Sequence, residues 1–225
     1  MKRICQNLQS ILEKIASASI RSGRPAGGVK LLAVSKTFPV ECVLAAHAAG
    51  QRLFAENRVQ ELADKVPQAP ADCEWHLIGH LQTNKVRPAL QYATWIHSID
   101  SLPLLRRINN IAAEMQRQPN VLLEVNISGE ESKFGLVPDA VEEVVLAAQG
   151  GVANCQGLMT VAPMGATETE VRKIFAALRQ LRDTLVAQTG CPLPELSMGM
   201  SGDFTLAIAE GATIVRIGSA IFGQR

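Results

Sequence analysis

Residues 30–36 read KLLAVSK, a short apolar run that ends in a lysine. Seven further runs of this kind follow, at 52–55, 74–78, 95–98, 121–127, 152–159, 195–198 and 213–217. Stretches with helical spacing separate them, at 38–49, 57–66, 82–91, 101–117, 138–149, 167–188, 203–210 and 219–223. Nearly continuous apolar strands that alternate with helices are typical of a parallel sheet covered by helices. Eight such strand–helix units predict a closed (β/α)8 barrel.

An additional helix is predicted before the first strand, because Ile4, Leu8, Ile11 and Ile15 recur at helical spacing over residues 4–20. An open, doubly wound sheet is the alternative architecture. No G-x-G-x-x-G follows the first strand, so the dinucleotide-binding version of that fold is disfavoured. The fold expected is therefore α/β, a single TIM-type barrel domain over residues 1–225 with an extra N-terminal helix.

The charge, the hydropathy and the cysteines of the sequence argue against several classes of protein. The net charge is +1 and the basic residues are scattered, which argues against a nucleic-acid partner. No run approaches the roughly 18 apolar residues of a membrane span. The five cysteines include no C-x-x-C pair, so no disulfide framework is expected and a reducing cytoplasm is favoured.

Lys36 stands at the end of the first strand, where barrels of this kind carry their active sites. Strand side chains alternate between faces, so Leu32, Val34 and Lys36 share one face. A lysine also occurs where a strand simply leaves the core for water, and its position alone favours that structural interpretation. An amine at an apolar barrel mouth suits Schiff-base chemistry.

Two loops near the end of the chain predict a phosphate site. Gly218 and Ser219 follow the last strand and open a short helix, and the loop 198–203 after strand seven is equally rich in small donors. Such loops bind phosphate in many barrels. Ser201 or Asp203 could instead cap the next helix. Two loops that converge beside Lys36 favour phosphate binding.

Arg216 shares a strand face with Ile214 and Gly218, so it points into the barrel. A buried guanidinium needs a partner. The candidates are an internal carboxylate such as Glu124, in the middle of its predicted strand, and a ring nitrogen of a bound heterocycle. A lysine, a phosphate-binding cradle and an arginine that points inward are together the groups expected of a binding site for pyridoxal 5′-phosphate (PLP).

The sequence resembles the YggS/PROSC family of PLP homeostasis proteins. The resemblance spans nearly the whole chain, in the family's order, through LLAVSKT at 31–37, ENRVQE at 56–61, WHLIGHLQTNK at 75–85, VNISGEESKFGL at 125–136, GLMT at 157–160, LSMGMSGDF at 196–204 and VRIGSAIFG at 215–223. Two departures are visible. Residues 54–58 read FAENR where the family usually has FGENY, and Gly202 stands where a residue with a side chain is more common.

The resemblance implies the PLP fold type III barrel, as in the N-terminal domain of alanine racemase. It implies that Lys36 holds the cofactor as an aldimine (a Schiff base). It further implies that Ser201, Gly218 and Ser219 hold the phosphate and that Arg216 faces the pyridine nitrogen. Asn57, His80 and Met159 are expected to line the cofactor pocket.

Arg216 also bears on whether the protein is an enzyme. A permanent cation beside the ring disfavours protonation of the pyridine nitrogen and makes PLP a weaker electron sink. A two-base racemase needs a second acid or base, which alanine racemases take from a C-terminal domain. This chain ends at Arg225, soon after the last predicted helix, and its only tyrosine, Tyr92, is expected at the surface.

The first hypothesis is therefore a PLP carrier or regulator in vitamin B6 homeostasis, without robust turnover and with no catalytic residue assigned. The alternative is a small PLP-dependent amino-acid racemase that uses a base such as His80. The expected partners are PLP, amino acids and apo PLP enzymes, with no nucleic acid and no membrane. We expect a cytoplasmic monomer.

The histidines and the segment 129–135 allow two further interpretations. A metal-dependent hydrolase is disfavoured because His76, His80 and His97 lack carboxylates at ligand spacing, so no metal is expected. His76 and His97 are predicted to be packed and hydrogen-bonded. The glycine-bounded segment 129–135 is interpreted either as a mobile lid whose Lys133 offers a secondary amine for PLP or as a solvated charged loop.

Overall fold

The computed structural model describes residues 2–130 and 133–224. Eight parallel strands form a closed barrel in chain order. They are β1 (Lys30–Val34), β2 (Leu53–Glu56), β3 (Glu74–Leu77), β4 (Trp95–Ile99), β5 (Asn120–Glu124), β6 (Asn154–Met159), β7 (Glu195–Ser197) and β8 (Ile214–Ile217). The barrel closes where β1 pairs with β8, from Lys30 opposite Ile214 to Ala33 opposite Ile217. This closure confirms the predicted barrel and excludes the open sheet.

Helices cover the outside of the barrel. Within the described residues they are α1 (Lys2–Arg21), α2 (Val40–Ala48), α3 (Val59–Lys65), α4 (Val86–Tyr92), α5 (Leu102–Glu114), α6 (Val141–Gln149), α7 (Glu168–Thr189), α8 (Phe204–Ala209) and α9 (Ser219–Phe222). The predicted N-terminal helix is α1, whose buried residues recur at helical spacing from Ile4 to Ile15. It packs against α2, α8 and α9. None of the described helices combines the length and the apolar character that crossing a bilayer would require.

Every predicted strand is present, with ends within two residues of the prediction except for β5. That strand was expected to run to residue 127 but ends at Glu124. The chain turns there because Leu136 donates its N–H to the Glu124 carbonyl at 2.8 Å and Asn126 donates to the Leu136 carbonyl at 2.9 Å. Glu124 is therefore the last residue of its strand and not a mid-strand residue. Tyr92, expected at the surface, is the last residue of α4 and is partly exposed.

Strand alternation sorts the side chains into two layers. The outward face packs against the helices in one large apolar core. The inward face holds a smaller apolar cluster that includes Leu32, Val34, Leu122, Met159 and Ile214. Leu32 and Val34 thus share the interior face, as alternation in β1 predicted. Buried polar side chains also project from the strands, among them His76 in β3, His97 in β4, Glu195 and Ser197 in β7, and Arg216 in β8.

The register of strand pairing shifts at two points in the sheet. The pairing of β4 with β5 shifts between Ile96 and Ile99, which is the signature of a bulge around His97. The pairing of β5 with β6 shifts just before Gly157. Gly157 has a φ of 153° and packs so closely that a Cβ would lie 1.9 Å from the Glu195 carbonyl oxygen. Only glycine allows β6 and β7 to approach each other at this point.

Candidate cofactor site

A cavity of about 460 Å³ opens at the carboxyl end of the barrel. Its size lies in the range of roughly 300–1,000 Å³ that is usual for small-molecule sites. It brings together five of the predicted site residues: Lys36 after β1, Ser201 after β7, Arg216 in β8, and Gly218 and Ser219 after β8. The rest of the lining comprises Val34, which was predicted on the face of Lys36, Met200 and Gly202 of the predicted loop 198–203, and four residues that the sequence did not indicate, namely Phe38, Ile78, Gly223 and Gln224.

The two loops predicted to hold phosphate meet at this cavity. A Cβ at Gly218 would lie 3.1 Å from the Val34 carbonyl oxygen, so a side chain there would crowd the strand that leads to Lys36. The Ser201 hydroxyl accepts a hydrogen bond from the Ala220 N–H at 3.4 Å, which joins the two loops. Small residues, hydroxyl groups and backbone amides from two loops form a cradle suited to a phosphate group.

Asp203 holds the shape of the first of these loops. Its carboxylate accepts a hydrogen bond from the Met200 N–H at 2.5 Å. Asp203 also occupies the N-cap position of α8, but its side chain makes no capping hydrogen bond there. The alternative role considered for Asp203, as a helix cap, is therefore not the role that its carboxylate takes.

Arg216 lies inside the barrel with 4% of its surface exposed. Its Nη1 donates to Ser197 Oγ at 2.7 Å and its Nη2 donates to the Thr160 carbonyl at 2.8 Å. Burial lowers the pKa of Arg216 to about 10, while the charges of Glu124 and Asp203 raise it. Because this pKa is far above neutrality, Arg216 is a cation in the lining of the cavity.

Glu124, the carboxylate considered as a partner for Arg216, acts on it through charge. Burial raises the pKa of Glu124 to about 7, and the Asp100 charge adds to this rise. The Arg216 cation opposes it. The carboxyl group therefore changes its charge near neutral pH, beside the guanidinium that lines the cavity.

A buried ion cluster holds the backbone on both sides of Lys36. Before it, the Ser35 hydroxyl donates to Glu56 Oε1 at 2.6 Å, and Lys65 Nζ donates to the Ser35 carbonyl at 2.9 Å. Lys65 Nζ also contacts Glu56 Oε1 at 2.6 Å, and Glu56 is fully buried. Breaking such a buried pair leaves an uncompensated charge in the core.

The residue after Lys36 is held by the same cluster. Thr37 has a φ of 67°, in the left-handed region that a β-branched residue rarely adopts. Its N–H donates to Glu61 Oε2 at 2.6 Å, and Lys65 lies 3.1 Å from the same oxygen. Glu56, Glu61 and Lys65 therefore form a clamp around Lys36. In the sequence, the i, i+4 spacing of Glu61 and Lys65 within a predicted helix could have indicated their ion pair.

The other three predicted residues do not line the Lys36 cavity. Met159 ends β6 and is buried among the apolar residues of the barrel interior. The carbonyl oxygen of Asn57 would lie 2.2 Å from a Cβ at Gly79, so the loops after β2 and β3 are tightly packed. His80 lines a separate cavity of about 450 Å³, where its Nδ1 lies 2.9 Å from Asp100 Oδ2.

Three other residues that the sequence singled out, His76, His97 and Lys133, contact other side chains in the structure. His76 and His97 are buried and hydrogen-bonded to each other, which confirms that prediction. Lys133 Nζ forms an ion pair with Glu130 at 3.3 Å, and the His80 ring stacks on Phe134 with centroids 4.0 Å apart. Glu131 and Ser132, which belong to the predicted lid segment, lie outside the described residues.

One cluster with metal-type ligands occurs in the part of the chain that the structure describes, formed by His47, Asp72 and Cys73. Its histidine, His47, differs from the three histidines discussed above as possible metal ligands, His76, His80 and His97. Asp72 already pairs with His47 at 2.7 Å and, through its other oxygen, with Arg52 at 2.7 Å.

Comparison with known proteins assigns the fold and then the family. The family model described as "Alanine racemase, N-terminal domain" matches residues 6–225. Alanine racemase of Clostridium difficile shares the fold with a TM-score of 0.77 and 15% identity, over 98% of this chain and 57% of that chain. The molecule is therefore a barrel of the alanine racemase N-terminal type.

Nearer relatives define the group within this class. A pyridoxal phosphate homeostasis protein of Aquifex aeolicus is 42% identical over 223 residues, which cover 98% of each chain. The structure of PipY from Synechococcus elongatus with PLP bound has a TM-score of 0.82 and 41% identity, over 95% of this chain and 100% of that one. The chain belongs to the family of pyridoxal phosphate homeostasis proteins.

The clamp around Lys36 generates a stability prediction. We expect Lys65→Met to lower the free energy of unfolding by about 3–5 kcal/mol, because Glu56, whose pKa burial raises to about 7 even beside Lys65, then has no cation to compensate it and must take up a proton in the core. PLP affinity should also fall, and the double variant Lys65→Met/Glu56→Gln should regain part of the stability. Urea denaturation and PLP titration measure both effects. Lys173→Met, at an exposed lysine, is the control. A Lys65→Met protein as stable as this control would contradict the clamp.

The partly buried carboxyl of Glu124 generates a pH prediction. Its folded-state pKa of about 7 lies above the ordinary 4.5, so the folded protein binds this proton more tightly. The resulting stability is present below about pH 4.5 and is lost as pH rises through 7. Glu124→Gln should therefore gain stability relative to the parent protein between pH 5 and pH 8, as measured by urea denaturation of the apo protein. The exposed Glu114→Gln should show no such trend, and an equal trend in both would refute the assignment.

Proposed function

We propose that this protein binds PLP reversibly through Lys36 and serves PLP homeostasis as a carrier or regulator. The observation that carries the proposal is the composition of a single cavity. It combines the Lys36 amine, two small-residue loops that end in hydroxyl and amide donors, and a buried arginine cation. When bound, PLP supplies an aldehyde for covalent attachment to an amine and a ring that accepts electrons.

In this proposal each residue has one role. Lys36 forms the covalent link, Ser201, Gly218 and Ser219 hold the phosphate, and Arg216 faces the pyridine nitrogen. Asn57, His80 and Met159 belong to the layer around the cavity rather than to its lining. The naming of relatives as PLP homeostasis proteins and the PLP-bound PipY structure, at 41% identity, support the assignment.

We further propose that robust catalysis is absent. Arg216 keeps its charge at neutral pH, and a cation beside the pyridine nitrogen disfavours the protonated ring that strong carbanion chemistry uses. The proposal extends to a cytoplasmic monomer that exchanges PLP with apo PLP enzymes.

One observation favours the racemase alternative. His80 is held by Asp100 as a catalytic base is held by an orienting carboxylate, and it lies on the carboxyl side of the barrel. It faces a cavity other than the one that contains Lys36, which makes it a weaker candidate for a second base.

Covalent attachment is tested by Lys36→Ala. We expect this variant to lose the visible absorbance of lysine-bound PLP, and borohydride reduction of the parent protein should leave a label that peptide mass mapping assigns to Lys36. Lys85→Ala is the control and should retain both signals. A label at Lys133 as well would establish the secondary amine. An absorbance band that survives Lys36→Ala unchanged would refute the proposed link.

The absence of robust turnover is tested with a chiral assay of the PLP-loaded protein over the proteinogenic amino acids. We expect racemisation well below about 1 s⁻¹, the lower end of ordinary enzyme turnover. His80→Gln should leave any residual rate unchanged. Turnover at or above that level, abolished by His80→Gln, would establish the racemase instead.

A further inference from the structure

The buried arginine is one end of a hydrogen-bond chain that crosses the barrel interior. From Arg216 in β8 the chain passes to Ser197 Oγ in β7 at 2.7 Å. Ser197 Oγ lies 3.0 Å from His97 Nδ1 in β4, and His97 Nε2 lies 2.8 Å from His76 Nδ1 in β3. His76 Nε2 lies 3.0 Å from Glu74 Oε1, whose side chain is 43% exposed. The chain therefore runs from the candidate cofactor cavity to the opposite mouth of the barrel.

The two ends of this chain determine its direction. A guanidinium can only donate hydrogen bonds, and an ionised carboxylate can only accept them. Ser197 accepts from Arg216, so its single hydroxyl proton is available for His97 Nδ1. His97 then donates from Nε2 to His76 Nδ1, and His76 donates from Nε2 to Glu74. Every contact is satisfied in this order when both histidines are neutral and carry their proton on Nε2.

The reverse order leaves an unsatisfied contact. If His97 donated from Nδ1 to Ser197, its Nε2 would have to accept from His76 Nδ1. A neutral His76 would then present the lone pair of Nε2 to the Glu74 carboxylate, so that two acceptors face each other. Restoring this contact requires a second proton on a fully buried ring.

The surroundings favour the neutral state of both rings. Burial lowers the pKa of His97 well below its ordinary value, and the charges of His76 and Arg216 add to this effect. Burial also lowers the pKa of His76, and Lys30 adds to this while Glu74 and Glu195 oppose it. The hydrogen bond from His76 holds the pKa of Glu74 below its ordinary value, so Glu74 is an acceptor.

We propose that Ser197, His97, His76 and Glu74 are positioning residues, which hold the Arg216 guanidinium in the orientation in which it lines the cofactor cavity. This inference rests on the proposed function, in which Arg216 faces the pyridine nitrogen of PLP. The chain anchors one guanidinium nitrogen through Ser197, while the Thr160 carbonyl anchors another. Glu74 touches nothing in the cofactor cavity and acts through three intervening side chains.

The tautomers provide a test that needs no cofactor. In ¹⁵N NMR spectra of the apo protein, we expect His76 and His97 to be neutral with the proton on Nε2. Glu74→Gln replaces the obligate acceptor with an amide that can also donate, so it should produce a mixture of tautomers. Glu195→Gln removes a nearby charge outside the chain and should leave the tautomers unchanged. An Nδ1 proton on His97, or a charged His97, in the parent protein would overturn the proposal.

PLP titration tests the effect on the cofactor site. We expect Glu74→Gln to weaken PLP binding about 3-fold and His97→Leu about 10-fold, within the range for coupling through packed networks. His97→Gln can accept and donate as the ring does, so it should restore most of the affinity. Urea denaturation shows which variants are folded. A purely structural role of the chain would change the stability of a variant without changing the PLP affinity of its folded form.

Two kinds of outcome distinguish failure of this proposal from failure of the proposed PLP-binding function. A folded His97→Leu with the parent's PLP affinity, or a Glu195→Gln as weak as Glu74→Gln, would overturn positioning by the chain. A parent protein that does not bind PLP at all would refute the proposed function instead. In that case the apo tautomers would still decide whether the directed chain exists.

Discussion

Arg216 imposes the constraint on which the barrel interior depends. A guanidinium cannot give up its charge near neutral pH, and burying it without partners is very unfavourable. Ile214, the neighbour of Arg216 on the interior face of β8, is apolar, so the polar groups that contact Arg216 come from other parts of the barrel. Ser197 and the Thr160 carbonyl meet this need directly, and two histidines extend the contact to a carboxylate at the far mouth. The polar groups form one continuous network because an isolated buried polar group would be costly.

The same principle explains the other side of the cavity. Lys36 leaves β1 next to Thr37, whose left-handed backbone needs external support. That support comes from Glu56, Glu61 and Lys65, in which the Lys65 ammonium pairs with both carboxylates. The cavity thus lies between two ion-containing networks, one under α3 and one inside the barrel.

Much of the fold was predictable because strand and helix periods are local properties. The apolar runs located all eight strands, and alternation within β1 and β8 placed Lys36 and Arg216 on the interior face. The end of β5 was missed because it depends on hydrogen bonds between Glu124 and Leu136, which no local pattern reports. Asn57, His80 and Met159, expected in the pocket from the family resemblance, lie outside its lining. The role of Glu56, Glu61 and Lys65 as a clamp was missed because their contacts with Ser35 and Thr37 join different elements.

The amino-acid sequence by itself determined the barrel class, the family and the five residues that meet in the cavity. These follow from the spacing of apolar residues, the order of the predicted strands and helices, and the sequence motifs, which are all local features of the chain. Only the tertiary structure decided which buried polar groups satisfy one another. His97 and Ser197 are 100 residues apart, and their contact exists because barrel closure brings β4 and β7 to face each other across the interior. Hydrogen-bond direction depends on both ends of such a chain, so it is a property of the closed barrel and of no single segment.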